Sequence, residues 1–295
     1  MNALQVHCQV LLSRVLVATS FTVGAAITHG LEPAALTLLR FALASVLFAP
    51  YVYWRHGLRL PGGRAMLGYA AISASIVGFF WLMFEALRHT SALNGAAIHT
   101  LVPGLSALYA FWLVGEKLRR GQVFALALGL VGALWVVFRG DVGRALALEI
   151  GIGDVLFFLG CLSMGLYTPL VGRFHRGEPA AVMSFWVLVC GTLWLLLLTN
   201  VRLFEVDWAN VPGRVYGGVA YLAVFTTLLT FFIQQHATVR LGPTRVAAYS
   251  YLTPLLVVCV EWALGHGLPN ASTFLGIFVI ITAIFWVQRS NRSET

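Results

Sequence analysis

Three ionisable side chains stand inside otherwise apolar stretches of the chain, at Arg40, Glu85 and Glu261. A charge in the hydrocarbon region of a membrane is costly, so such groups usually face a cavity or a partner. We assign them to gating or coupling: Arg40 to a solute anion, Glu85 to an external gate or proton site, and Glu261 to a cationic group or coupling proton. Structural interpretations stay open, with Arg40 fastened to a neighbouring backbone, Glu85 paired with Arg88, and Glu261 at an interface.

A second set of candidates carries hydroxyl, amide, imidazole or aromatic groups, which suit an amphipathic solute. His99 titrates near neutral pH, so it is either a proton carrier or a hydrogen-bonded packing residue. The spacing of Thr227, Thr230 and Gln234 at i, i+3 and i+7 places them on one helix face. The predicted binding set is Trp81, His99, Pro103, Ser163, Tyr167, Thr227, Thr230, Gln234, Tyr249, Ser250, Tyr251 and Pro254.

Two prolines of this set, Pro103 and Pro254, stand 151 positions apart within similar surroundings. Each removes a helical hydrogen bond, and interruptions near the middle of a membrane helix commonly mark a site or hinge. His99, Pro103 and Ser106 follow i, i+4, i+7, and the stretch from Ser250 through Pro254 to Glu261 repeats this pattern. We therefore expect two facing, interrupted helices.

The composition indicates the scaffold that holds these residues. Of the 295 residues 59% are hydrophobic and 10% charged, against about 25% charged in soluble domains. Apolar runs of this length match a hydrocarbon core of ~30 Å. The sequence predicts an all-α polytopic membrane protein without room for a soluble catalytic or nucleic-acid-binding domain. Its ten predicted spans, numbered in chain order, are 10–28, 34–54, 64–87, 91–114, 120–138, 151–172, 179–199, 213–237, 243–265 and 270–288.

The basic residues predict the orientation of these spans. Of the 19 Lys and Arg residues, thirteen fall on one side of the predicted membrane, five fall on the other, and Arg40 alone lies inside a span. Arg14, just after the start of span 1, counts among the thirteen. The positive-inside rule then places both termini in the cytoplasm.

The two halves of the chain, 1–145 and 146–295, repeat a short pattern. The sequence Glu-Pro-Ala-Ala at 32–35 recurs at 178–181, each time opening the second span of a half. Because each half has five spans, the second copy is predicted to be inverted. Inverted repeats are typical of secondary transporters, whose solute site lies at the repeat interface near the midplane.

With these features the chain resembles the EamA family of the drug/metabolite transporter superfamily. The resemblance rests on Pro33 followed by Leu-Arg-Phe at 39–41, on Gly-Glu-Lys-Leu at 115–118 and on Ser-Tyr-Leu-Thr-Pro at 250–254. The last segment is similar to bacterial aromatic amino-acid exporters. Two departures are Gly-His-Gly-Leu-Pro at 265–269, where a Gly-Glu pair is common, and Trp186 at the position equivalent to Arg40. The resemblance implies transport of small metabolites.

Together these patterns predict a secondary transporter, with neither cofactor nor metal, that moves small organic metabolites such as amino acids by alternating access. Spans 1, 3, 4, 6, 8 and 9 are expected to line the site, and export across a bacterial inner membrane is expected. Proton coupling, exchange and a homodimer stay open. One alternative is a sugar-phosphate or nucleotide-conjugate antiporter, which needs several basic residues at the cavity. The other is an integral-membrane lipid-modifying enzyme, for which Glu85, Arg88 and His89 form the only compact group.

Overall fold

The structure, a computed structural model, describes residues 3–138, 151–199, 206–265 and 271–289, with residues 143 and 203 as isolated positions. Within these ranges all regular structure is helical. The elements are α1 Ala3–Ile27, α2 Pro33–His56, α3 Gly63–Ala86, α4 Ala92–His99, α5 Val102–Val114, α6 Arg120–Val137, α7 Ile152–Phe174, α8 Ala180–Thr199, α9 Gly213–Ala223, a π-helical segment Val224–Leu228, α10 Leu229–Leu241, α11 Pro243–Ala248, a 3₁₀ segment Tyr249–Leu252, α12 Thr253–Ala263 and α13 Ala271–Arg289.

Eight segments of the described chain are long and apolar enough to cross a membrane. They correspond to spans 1–4 and 6–9, and spans 5 and 10 are the shorter apolar helices α6 and α13. Span 1 begins at Ala3 rather than at residue 10. The predicted boundary between the halves, at 145/146, lies outside the described residues.

Local chemistry explains several helix ends. Pro33 occupies the first turn of α2, where its missing N–H costs nothing. The Ser91 hydroxyl caps α4 by accepting from the backbone N–H of Asn94 at 3.1 Å. Gly115 ends α5 in the left-handed conformation with φ 73°, which suits glycine because it has no Cβ.

Spans 4 and 9 are both interrupted, as the paired prolines predict. Span 4 breaks at Thr100–Leu101, and Pro103 lies in the first turn of α5. Span 9 passes through the 3₁₀ segment, and Pro254 lies in the first turn of α12. The continuous helical faces expected from His99 to Ser106 and from Ser250 to Glu261 are therefore wrong, because each crosses a break.

The helices pack in pairs that correspond between the halves. Span 2 packs against span 7, and span 5 against span 10. Spans 3 and 4 of the first half both pack against span 6, the first span of the second half. In the same way, spans 8 and 9 of the second half both pack against span 1, the first span of the first half. A two-fold relation between the two halves produces this pattern, so the interface between the halves runs through the centre of the bundle.

Candidate functional site

A small, largely enclosed cavity lies at the centre of the bundle, between the halves. Its volume is about 20 Å³, which is room for about one water molecule. Spans 1, 3, 4, 6 and 8 all contribute to its wall, which agrees with five of the six spans predicted. The lining residues are Val17, Ser20, Ile76, Phe79, Phe80, His99, Met164, Tyr167, Thr226, Thr230, Phe231 and Gln234.

Arg14 lies beside this cavity, not in a cytoplasmic flank as the charge count assumed. Its side chain is 1% exposed. One terminal nitrogen donates to Ser250 Oγ at 2.9 Å and the other to Gln234 Oε1 at 2.9 Å, while Nε has no partner. Arg14 therefore joins span 1 to spans 8 and 9 and contacts the cavity wall through Gln234.

A pattern in the sequence could have located Arg14. The residues Val6, Val10, Arg14, Ala18 and Phe21 recur at intervals of three or four and are all buried. Such intervals follow one face of a helix. A helix that begins at residue 10 leaves out Val6, and it places Arg14 so close to the helix start that it resembles a flanking charge.

Arg40 is also completely buried, at the other end of the cavity wall. Its Nε donates to Thr227 Oγ1, and one terminal nitrogen donates to the carbonyl of Thr226 at 2.8 Å and to its hydroxyl at 2.9 Å. The guanidinium carbon lies 3.9 Å from the centre of the Phe80 ring, a cation–π contact. These bonds fasten span 2 to the π-helical segment of span 8, and Nη1 is left without a partner.

His99 closes the span 4 side of the cavity. It is completely buried, and neither ring nitrogen has a hydrogen-bond partner. Its ring meets Phe21 edge-on at 5.6 Å and Phe79 at 5.7 Å between centroids. The charge of Arg14 acts on the same ring. His99 thus faces the site, but in an aromatic setting rather than the hydrogen-bonded one that a packing role suggested.

Five other predicted binding residues lie in the cavity wall or bond to the arginines. Tyr167, Thr230 and Gln234 line the cavity. Thr227 accepts from Arg40, and Ser250 accepts from Arg14. The π-helical turn adds a residue to the register of span 8, yet Thr227, Thr230 and Gln234 all remain buried.

Several predicted binding residues do not line the cavity. Trp81 is 38% exposed, because on α3 the cavity is faced by Phe79 and Phe80 and the next position points away. The Ser163 hydroxyl donates to the carbonyl of Ser75 at 2.9 Å and packs span 6 against span 3. Both predictions fail for the same reason. Helical spacing shows which residues share a helix face, but it does not show whether that face packs against the cavity, another helix or lipid.

The two tyrosines of span 9 are anchors between helices. The Tyr249 hydroxyl lies 2.8 Å from His7 Nδ1 in span 1. The Tyr251 hydroxyl donates to the carbonyl of Leu126 in span 5 at 2.7 Å, and its ring packs on Gly129. Neither lines the central cavity, although Tyr251 borders a separate apolar pocket of about 240 Å³ with Leu101.

Of the two predicted carboxylates, Glu85 lies at the end of α3, where it pairs with neighbouring basic side chains. Its oxygens lie 3.5 Å from both Arg88 and His89, which agrees with the pairing that was left open. The side chain of Glu261 lies outside the described residues. Among the described side chains, neither Arg14 nor Arg40 has a carboxylate partner; their acceptors are hydroxyl, amide and carbonyl oxygens.

Sequence reasoning also missed the aromatic wall. Phe79, Phe80 and Phe231 line the cavity, and the rings of Phe80 and Phe231 stack at 6.2 Å. Phenylalanine is too frequent in a membrane chain to stand out. The described residues contain no cluster of His, Cys, Asp and Glu that could hold a metal ion.

Two matches to one family model cover both halves of the chain, at residues 5–138 and 151–289, and the model is that of the EamA-like transporter family. The chain belongs to this family. It carries the family domain twice.

Curated relatives of the chain are named as transporters. The chain is 25% identical over 259 residues to the uncharacterized transporter YyaM of Bacillus subtilis, covering 86% of this chain and 81% of that one. It is 24% identical over 266 residues to the aromatic amino acid exporter YddG of Ancylobacter novellus, covering 90% and 84%. It is also 22% identical to the inner membrane transporter YedA of Escherichia coli, covering 84% and 79%.

A solved crystal structure shares the fold. It superposes with a TM-score of 0.73 over 94% of both chains at 19% sequence identity. The two-repeat helical architecture described above is therefore that of a known fold, and the family assignment makes this protein a membrane transporter.

Proposed function

We propose that the protein is a ten-span secondary transporter that exports small organic metabolites, with amino acids as the first candidates, from a bacterial cytoplasm by alternating access. The two halves would be inverted repeats, 1–145 and 146–295, with both termini cytoplasmic. An aromatic amino acid exporter among the relatives supports the solute class. The charge asymmetry of the connections supports the orientation.

One observation carries this proposal: the small, largely enclosed cavity lies between the halves and is lined by both. Its wall combines aromatic rings with a few polar groups, as small-molecule sites generally do. At about 20 Å³ it does not admit an amino acid. A solute can therefore enter only when the halves move apart on one side, which is the motion that alternating access requires.

The lipid-enzyme alternative finds less support. Glu85, Arg88 and His89 pair with one another at the end of α3 and the turn that follows it. No nucleophile among the described residues joins this group.

A counterflow assay in proteoliposomes tests the transport proposal. We expect purified protein to accelerate exchange of at least one labelled solute from a panel of amino acids, amines and organic acids, relative to protein-free liposomes. His99→Trp should abolish this exchange because the indole fills the cavity. Leu67→Trp, at a 72% exposed position of α3, is the matched control and should transport normally.

Modification of the added lipid by protein that moves no solute would contradict the transport proposal. Exchange that is equal in His99→Trp and wild type would leave transport standing but would contradict the central cavity as its pathway.

Proton coupling through His99 is the mechanism to test next. His99→Gln keeps the size of the side chain but cannot titrate. If His99 carries the coupled proton, the variant should lose the stimulation of transport by a pH gradient while it still exchanges solute. The charge of Arg14 acts on the His99 ring, so Arg14→Gln serves as the comparison.

A further inference from the structure

The two buried arginines are held across the interface between the halves. Arg14 and Arg40 both belong to the first half. Every acceptor that they use belongs to the second half, namely Thr226, Thr227, Gln234 and Ser250. Separation of the halves would therefore release donors from both guanidinium groups.

These acceptors leave the two charges uncompensated. Arginine stays protonated in proteins, even when buried. Each guanidinium here meets only neutral oxygens, and each keeps one nitrogen without a hydrogen-bond partner: Nε of Arg14 and Nη1 of Arg40. A buried charge normally pairs with an opposite charge. Two cations with spare donors and no described carboxylate partner form a receptor for an anion.

The arginines stand at opposite ends of the cavity wall. Arg14 contacts it through Gln234, and Arg40 contacts it through Thr226 and Phe80. Gln234 and Thr226 are eight residues apart on span 8, which is roughly 12 Å along a helix. The wall between them carries Phe231 and Thr230, so the space between the two cations is mainly apolar.

We propose that Arg14 and Arg40 bind the anionic group of the transported solute in turn, and that this solute is an organic anion with an apolar or aromatic body and no ammonium group. The anion replaces Ser250 and Gln234 on Arg14 when the halves part on one side. It replaces Thr226 and Thr227 on Arg40 when they part on the other. An ammonium group would meet two cations and, among the described lining residues, no carboxylate.

This inference rests on the proposed transport function and keeps its class of small organic metabolites, but it replaces amino acids as the first candidates because they carry an ammonium group. It also gives more support to the sugar-phosphate or nucleotide-conjugate alternative, because that alternative needs several basic residues and Arg14 adds a second one at the cavity. A carboxylate and a phosphate monoester share the required chemistry, so the experiment includes one of each.

The test ranks four probes that share a phenyl ring and differ in charge: 3-phenylpropionate, phenyl phosphate, phenylalanine and phenethylamine. In wild-type proteoliposomes, each probe is tested both as a competitor of solute exchange and as the solute that drives counterflow. Each is also tested for protection of the purified protein against thermal unfolding. We expect an anionic probe to bind at least tenfold more tightly than phenylalanine, and phenethylamine to have no effect. Which anion binds better identifies the carboxylate or the phosphate as the natural group.

Variants locate the effect. Arg14→Gln and Arg40→Gln should each weaken binding of the preferred anion about 10- to 100-fold, the range for a lost charged hydrogen bond. Arg14→Lys should recover part of the loss because it keeps the charge. Arg64→Gln, at an exposed position at the start of α3, is the matched control and should bind like wild type.

The order in which wild-type protein binds the four probes tests the proposal even if a variant fails to fold. Binding of phenethylamine or phenylalanine equal to that of the anions would overturn it, and so would the absence of binding by all four probes. In either case, movement of an amine or a neutral solute in the wider panel would leave the transport function standing. Folded Arg14→Gln and Arg40→Gln proteins that bind the anion like wild type would also overturn the proposal.

Discussion

Thr227 illustrates how a single hydroxyl can support a buried charge. It accepts from Nε of Arg40, in a part of the bundle that water does not reach. Thr227→Val keeps the shape of the side chain but leaves this N–H without an acceptor. We expect a loss of about 1–3 kcal/mol in the free energy of unfolding, the cost of an unsatisfied buried polar group.

The measurement is thermal unfolding in detergent, followed by the loss of monodisperse protein. Thr238→Val is the matched control, because the Thr238 hydroxyl donates only to the carbonyl of Gln234 in its own helix. A Thr227→Val protein as stable as Thr238→Val would show that Arg40 does not depend on this hydroxyl.

Glu116 gives a prediction about pH outside the membrane spans. It lies in the connection between α5 and α6, and burial raises the pKa of its carboxyl above the ordinary 4.5, an effect that the charge of Arg245 partly opposes. A raised pKa means that the folded state holds the proton more tightly than the unfolded state. Stability from this group is therefore present below pH 4.5 and is lost as pH rises through the folded pKa.

The variant Glu116→Gln removes this titration. We expect its melting temperature to match wild type near pH 4 and to exceed it progressively as pH rises above the ordinary carboxyl pKa. Melting curves of both proteins from pH 4 to pH 8 provide the check. A wild-type advantage that grows with pH would mean that the pairing with Arg245 outweighs burial.

At the scale of elements, the contact between α6 and α13 depends on two glycines. A Cβ at Gly276 would lie 2.9 Å from the carbonyl oxygen of Gly132 and 2.7 Å from a methyl group of Val136. Small residues allow membrane helices to approach closely, and dispersion then holds them. The small residues of span 5 thus serve a contact within the chain.

Gly276→Ala should therefore destabilise the protein by about 1–3 kcal/mol, because the backbone of α6 has to move away. Gly217→Ala is the same chemical change at a helical position with open space around it, and it should be neutral or slightly stabilising. Melting temperatures of the two variants in one detergent give the comparison. Equal effects would mean that α6 and α13 separate without cost.

At the scale of the whole molecule, alternating access requires the halves to part on each side in turn. Between the cavity and the 115–119 connection, spans 4 and 6 touch through the hydroxyls of Ser106 and Thr168, 2.6 Å apart. These residues belong to different halves. A cross-link there should hold this side shut and stop transport.

The double variant Ser106→Cys/Thr168→Cys, in a background whose four native cysteines are replaced by alanine, tests this. Oxidation should abolish counterflow and reduction should restore it, while Ser106→Cys alone stays active under both conditions. Full transport by the oxidised, cross-linked protein would exclude separation of the halves at this point.

The orientation of the whole chain gives a separate prediction. If both termini are cytoplasmic, a green fluorescent protein fused to the C-terminus should fluoresce and an alkaline phosphatase fused there should be inactive. The reverse result would contradict the orientation inferred from Lys and Arg.

Sequence alone determined the membrane class, the family and the two halves, because these depend on composition and on patterns that persist over many residues. It also located the interruptions at Pro103 and Pro254, since proline acts on its own helix. The cavity residues Tyr167, Thr230 and Gln234 could be predicted because polar groups are conspicuous in apolar helices.

Only the tertiary structure decided which helix each face meets. It moved Trp81 and Tyr251 out of the cavity and brought in Phe79 and Phe231, which spacing cannot distinguish from other apolar positions. It also placed Arg14 between Ser250 and Gln234, more than 200 residues away in the chain. A charge near a chain end has the pattern of a topological signal until long-range packing shows that it is buried, so the proposed anion site could be recognised only from the fold.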